Sequence, residues 1–189
     1  MAVEGAFEVT PVQHSDARGM FLEWYRSDAL TAAIGHPLEV AQANLSTSAR
    51  DVLRGIHFAD VPPGQAKYVT CVAGAVLDVV VDIRVGSPTF GRWESVRLDD
   101  EERRAVYLGE GLGHVFCALS EQATVAYLCS TTYRPGHEHG IHPLDAELGI
   151  TWPVAAPLLS AKDAAAPSLA EARAAGRLPR YEDCPDRAA

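Results

Sequence analysis

The chain has no paired cysteine motif. Its four cysteines, Cys71, Cys117, Cys129 and Cys184, are scattered through 189 residues without a C-x-x-C spacing, so the sequence announces neither a disulfide framework nor a thiolate zinc site. Three of them sit inside apolar, strand-like runs, where reduced and buried thiols are expected. Long hydrophobic runs are missing too. No window approaches the ~18 apolar residues of a membrane helix, and Met1 to Phe7 lacks the basic region and apolar run of a secretory leader. The expectation is a soluble, cytoplasmic protein. Basic charge is scarce: 16 Lys and Arg stand against 25 Asp and Glu, a formal net charge of −9. That excludes nucleic acid and anionic membranes as general partners, because both are held through basic surfaces. An anionic small ligand stays open if the few cations converge.

What is present suffices for a core. An apolar content of 48% with 22% charged residues is that of a globular protein, and the length suits one domain, or one domain with a short appendage. From Phe7 to Thr131 short apolar or alternating runs are separated by Gly, Pro, Asp and Ser, the pattern of an all-β domain. Val76 to Arg84 shows it best, with Leu77, Val79, Val81 and Ile83 alternating with Asp78, Val80, Asp82 and Arg84. The second face of that strand is either half exposed or lines a polar cavity. Further strands are expected near 39–46, 50–58, 66–73, 92–98, 104–108, 113–119 and 123–131, which favours a sandwich or barrel. Helices are few: Ser27 is read as the cap of a short one ending at Gly35, and Ser168 with Glu171 forms a capping-box pattern before Gly176. The tail from Pro179 to Ala189 reads as polar and loose.

The chemistry is densest in Leu53-Arg54-Gly55-Ile56-His57-Phe58 followed by Gln65-Ala66-Lys67. Arg54 offers a planar fork for an oxyanion, His57 can accept a proton near neutral pH, and Lys67 can hold a developing oxyanion. A structural histidine and a snorkelling strand-end lysine are the plainer readings. Against them, three such groups without a balancing acid are awkward to bury unless they serve an anion. His114 follows Gly111-Leu112-Gly113 at the start of a hydrophobic strand. It lacks the H-x-H pair and nearby glutamate of a cupin metal site, so no metal is assigned. His137-Glu138-His139-Gly140-Ile141-His142 follows Arg134-Pro135-Gly136 and reads as an exposed loop. Tyr127 and Tyr133, six residues apart, point the same way if their strand stays regular. Ser160-Ala161-Lys162-Asp163 offers a distant carboxylate to orient an imidazole.

These segments together resemble the dTDP-4-dehydrorhamnose 3,5-epimerase family, cupin-like enzymes of deoxysugar biosynthesis. The resemblance adds Asp16-Ala17-Arg18-Gly19-Met20-Phe21-Leu22-Glu23, Gln42-Ala43-Asn44, Gly86-Ser87-Pro88-Thr89-Phe90-Gly91 and Leu148-Gly149-Ile150-Thr151-Trp152-Pro153, in one order over roughly residues 5–180. It implies a cupin-type jelly-roll barrel with a few short peripheral helices, the core spanning about 5–153 and a C-terminal extension about 154–189. A homodimer whose N-terminal strands reach across to the partner is implied as well, as is catalysis without cofactor or metal. By motif, His57 resembles the base, Asp163 its dyad partner, Tyr127 the acid on the opposite face, and Lys67 the group that steadies an enolate. Arg18, Phe21, Glu23, Gln42, Asn44, Arg54, His114, Tyr133, Glu138 and Lys162 match positions that line the nucleotide-sugar site. The implied reaction inverts C3 and C5 of dTDP-4-dehydro-6-deoxy-D-glucose. Relatives in antibiotic-sugar pathways invert one centre with much the same residues, and Thr132, Pro143 and His14 depart from the family pattern, so single-centre epimerisation stands beside it.

Overall fold

The computed structural model describes residues 1–185. Two five-stranded antiparallel sheets lie face to face. The first runs in the order β1 (Ala6–Val9), β9 (Ala105–Leu108), β6 (Lys67–Ala73), β11 (Gln122–Cys129), β4 (Gln42–Ala49). The second runs β12 (Glu138–Gly140), β5 (Leu53–Ala59), β10 (Gly113–Ala118), β7 (Ala75–Val81), β8 (Trp93–Asp99). This is the expected jelly roll. A separate hairpin of β2 (Gln13–Asp16) and β3 (Gly19–Leu22) stands apart from both sheets, with Phe21 66% exposed.

Period-two alternation explains the layers, because successive side chains of a strand serve opposite faces. Val69, Cys71, Val106, Ala123 and Val125 from the first sheet meet Val76, Val80, Val96, Leu98 and Phe116 from the second, forming the core between them. Both outer faces are covered as well. Leu53, Ile56, Val79, Val81 and Val115 turn away from the barrel and pack under Ile141, Leu148, Leu169 and Leu178 of the C-terminal stretch. Ala66, Tyr68, Ala105 and Tyr107 on the back of the first sheet receive Leu30 of α1 (Ser27–Ile34) together with Leu38. β7 is therefore buried on both sides, and of the two readings its polar face allowed, the polar cavity is the one found: Asp78 points into the barrel and is 1% exposed.

Several local expectations need correction. The N-cap of α1 is Arg26 in extended conformation, with no side-chain cap, and Ser27 is already the first helical residue; Gly35 ends the helix in the left-handed region, as expected. The capping box of Ser168 and Glu171 is present at α3 (Leu169–Ala174). The tail is docked as far as it is described. Val85 donates to Pro179 O at 2.8 Å, Tyr181–Asp183 forms a 3-10 turn, and Cys184 is buried. The anchor is Arg84, wholly buried with Asp82 at 2.8 Å and lying under the Tyr181 ring. Polar sequence misled here because a buried, paired arginine supplies the attachment. Residues 186–189 of the expected loose tail lie outside the described residues. All four cysteines are reduced and buried.

Candidate active site

The site sits at one end of the barrel, where polar side chains replace apolar ones on the inward faces of β4, β5, β6, β7, β10 and β11. Arg54 and His57 are an odd number apart, so a regular strand would send them to opposite faces. A bulge prevents this: along β10, His114 pairs with His57 and Phe116 with Arg54, two residues against three. Gly55 makes the bulge possible. Its φ is +122°, and a Cβ there would lie 2.4 Å from His114 O and 2.9 Å from the Val115 backbone, so no other residue fits.

His57 Nε2 lies 2.7 Å from Asp163 Oδ1 across 106 residues of sequence. Asp163 belongs to α2 (Ala161–Ala164), whose start is capped when the Ser160 hydroxyl accepts from the Asp163 N–H at 3.0 Å. Burial alone would raise the Asp163 pKa. The bond from His57, helped by the Gly55 and Ser160 contacts, outweighs burial and holds it below the usual carboxylate range. A carboxylate only accepts, so Nε2 carries the proton and Nδ1 is left as the basic nitrogen of His57. Val52, Leu53, Arg54, His57, Glu138, Leu158, Lys162 and Asp163 line a cavity of about 350 Å³. Arg54 is braced by Ser48 Oγ at 2.9 Å and Thr47 O at 3.3 Å.

The facing sheet supplies Lys67 and Tyr127. Lys67, half-buried at the start of β6, continues the inward series of Val69 and Cys71, and desolvation lowers its pKa, although Cys129, Glu138 and Asp78 pull the other way. Tyr127 is half-buried, and burial, with Cys129 and Glu138 nearby, raises its phenol pKa against the opposing pull of Arg54. His114, buried, places Nε2 2.7 Å from Asp78 Oδ2. Gln42 and Asn44 hold one another at 2.8 Å on the inward face of β4, and Asn44 reaches Cys129 Sγ at 3.6 Å.

Not every expected residue converges. Arg18 lies on the exposed hairpin, paired with Asp16, and with Phe21 it lines a surface pocket of its own. Glu23 lines a different cavity of about 440 Å³ outside the barrel, between the root of the hairpin, α1 and Tyr68. Tyr133 does not share a strand with Tyr127. β11 ends at Cys129, and Tyr133 is 56% exposed, its N–H donating to Gln42 Oε1 at 2.8 Å. The segment expected as an exposed loop at 137–142 instead contains β12, which pairs with β5 and leaves Glu138, His139 and Gly140 half-buried. Residue-type reading overlooked Asp78 as the partner of His114; its signal was a lone carboxylate on the inward side of an otherwise apolar strand. Cys129, opposite Lys67 in the ladder, was overlooked as well. Among the described residues, no three His, Cys, Asp or Glu side chains converge as a metal site would, and no helix is long and apolar enough to cross a membrane.

Comparison with known proteins gives a consistent picture. The sequence profile of the dTDP-4-dehydrorhamnose 3,5-epimerase family matches residues 1–171. A dTDP-4-dehydrorhamnose 3-epimerase of Streptomyces niveus is 64% identical over 184 residues, covering 97% of this chain and 89% of that one. A dTDP-4-dehydrorhamnose 3,5-epimerase of Mycolicibacterium smegmatis is 58% identical over 185 residues, covering 97% and 91%. Among solved structures, a 4-keto-6-deoxy sugar epimerase from the novobiocin biosynthetic gene cluster of Streptomyces spheroides superimposes with a TM-score of 0.96 at 64% identity, covering 97% of this chain and 92% of that one.

Proposed function

From a chain that belongs to the dTDP-4-dehydrorhamnose 3,5-epimerase family, and is thereby an isomerase, we propose an enzyme that inverts C3, a carbon next to the ketone, of a dTDP-4-keto-6-deoxy sugar. The observation that carries this is His57 on one sheet, bonded at 2.7 Å to Asp163 of α2, with Lys67 and Tyr127 on the facing sheet. His57 Nδ1 takes the C3 proton, and the electron pair moves into a C3–C4 double bond and onto the C4 oxygen, held by the Lys67 ammonium. The Tyr127 hydroxyl then returns a proton to C3 from the opposite face, and exchange with solvent resets both groups. Imidazole alone is too weak a base, since a proton α to a ketone is roughly ten pKa units less acidic than imidazolium, about 14 kcal/mol at ~1.36 kcal/mol per unit. The Lys67 charge and the Asp163 carboxylate are what bring the enolate within reach. Arg54 and Lys162 suit the diphosphate, with His114, Gln42, Asn44 and Glu138 about the sugar.

Inversion at both C3 and C5 ranks first on the sequence pattern. A relative at 64% identity that is named for C3 alone weights the reading toward the single centre, while the 58% identical mycobacterial protein favours both. Incubating the enzyme with dTDP-4-dehydro-6-deoxy-D-glucose in D2O decides it. Deuterium is expected at C3 only; label at both carbons would restore the double epimerase, and label at neither would defeat the epimerase reading.

The separation of Arg18, Phe21 and Glu23 from His57 supports a homodimer in which the β2–β3 hairpin serves the partner's site. If so, Arg18→Ala and His57→Ala subunits, each poorly active, complement when mixed at random. Half of the dimers then carry one intact site, and about a quarter of wild-type activity is expected. No recovery on mixing, with dimers confirmed by sedimentation, would show that each subunit works with its own hairpin.

A further inference from the structure

Asp60 follows directly on β5 and lies between two imidazoles. Its Oδ2 is 3.1 Å from His137 Nδ1 and its Oδ1 is 2.7 Å from His139 Nε2. The carboxylate can only accept, so both ring nitrogens donate. The main chain adds to the grip, with Asp60 N–H donating to His137 O at 2.9 Å. His139 also lies against Phe58, the ring centroids 5.5 Å apart. The residue between the two histidines is Glu138. Alternate residues of an extended segment share a side, so holding 137 and 139 on one side turns 138 to the other. There Glu138 lines the His57 cavity and acts electrostatically on Lys67, Cys129 and Tyr127.

Glu138 has little else to hold it. β12 is three residues long and lies at the edge of its sheet, paired only with β5. A strand so short is marginal without side-chain support. Residues 130–137 before it join the facing sheet to this one. We propose that Asp60 is a positioning residue, which clamps the histidines on either side of Glu138 and so fixes the Glu138 carboxylate against Lys67 and Tyr127.

The inference rests on the assignment of Glu138 to the substrate site, and two independent readouts separate its failure from that of the epimerase reading. In turnover of dTDP-4-dehydro-6-deoxy-D-glucose, Asp60→Ala is expected to lower kcat about tenfold, as loss of one well-aimed group does, with KM moved less than threefold. Asp60→Asn, which keeps an acceptor and adds a donor for the second ring, should recover most of the loss. The double variant Asp60→Ala/Glu138→Gln should be no slower than Glu138→Gln alone, because residues acting as one unit are not additive. Wild-type kcat in Asp60→Ala, or multiplicative losses in the double variant, would overturn the proposal. The second readout needs no activity. Hydrogen exchange in Asp60→Ala should speed up at 137–140 and stay unchanged in β10; unchanged exchange at 137–140 would overturn the clamp even if the enzyme proved to act on another substrate.

Discussion

His57→Ala is expected to lower kcat by a factor of about 10³ to 10⁴, the upper range for loss of a positioned general base, while dTDP still binds and the barrel still folds. The backbone of residue 57 is held in its ladder between β10 and β12 regardless of the ring, so the fold does not depend on the imidazole. One stability effect follows from Asp163, which is 4% exposed. Burial is the largest single influence on that carboxyl and acts to raise its pKa; the His57 bond and charge, together with the Ser160 and Gly55 contacts, reverse it. A depressed carboxyl pKa stabilises the fold above the unfolded pKa, and that contribution is lost as pH falls through the folded value. Without the ring the folded pKa rises, so the variant should lose about 1–3 kcal/mol at neutral pH, the cost of a buried acceptor deprived of its donor. The deficit should shrink on acidification. Turnover assays, calorimetric titration with dTDP and melts at neutral and acidic pH measure these. A variant keeping even a tenth of wild-type kcat would remove His57 from the role of base.

Lys67→Met should cost about 10² to 10³ in kcat, the loss typical when a donor aimed at a developing oxyanion is removed. Methionine is similar in length and suits the apolar series of Val69 and Cys71. Because desolvation dominates the Lys67 environment and disfavours its charge, the melting temperature should hold or rise. The pH profile separates electrostatic from packing effects. In the proposed mechanism Lys67 works as an ammonium, so wild-type activity should fall as pH climbs through a lysine pKa that burial has lowered. Burial moves the Tyr127 phenol the other way, upward. In Lys67→Met the alkaline limb should move to higher pH; an unmoved limb would assign it to another group.

Much of this was legible in the sequence, for identifiable reasons. Strand alternation is local, and β5 to β11 fall within a few residues of where the pattern puts them because each strand buries several apolar residues in the two cores. Arg54, His57 and Lys67 could be picked out because charged or basic groups amid apolar runs are costly without a use. What could not be read was three-dimensional closure. The bulge that turns both Arg54 and His57 inward depends on a pairing register between β5 and β10. The burial of His114 depends on Asp78 meeting it from β7. A three-residue strand such as β12 has too little pattern to be seen, which is why 137–142 read as a loop. The tail misread as loose is held by Arg84, whose burial no local rule predicts.

The placement of Asp163 bears on when the enzyme becomes competent. Every strand of the barrel lies at or before Gly140, whereas the carboxylate that orients His57 arrives on α2, behind the loops that pack under the outer face of β5 and β10. During synthesis the barrel strands therefore leave the ribosome before the partner of the base does. Docking of the late segment covers the outer face of β5, β7 and β10 and at the same time completes the His57–Asp163 contact. On the proposed mechanism, proton abstraction therefore waits on a nearly finished polypeptide.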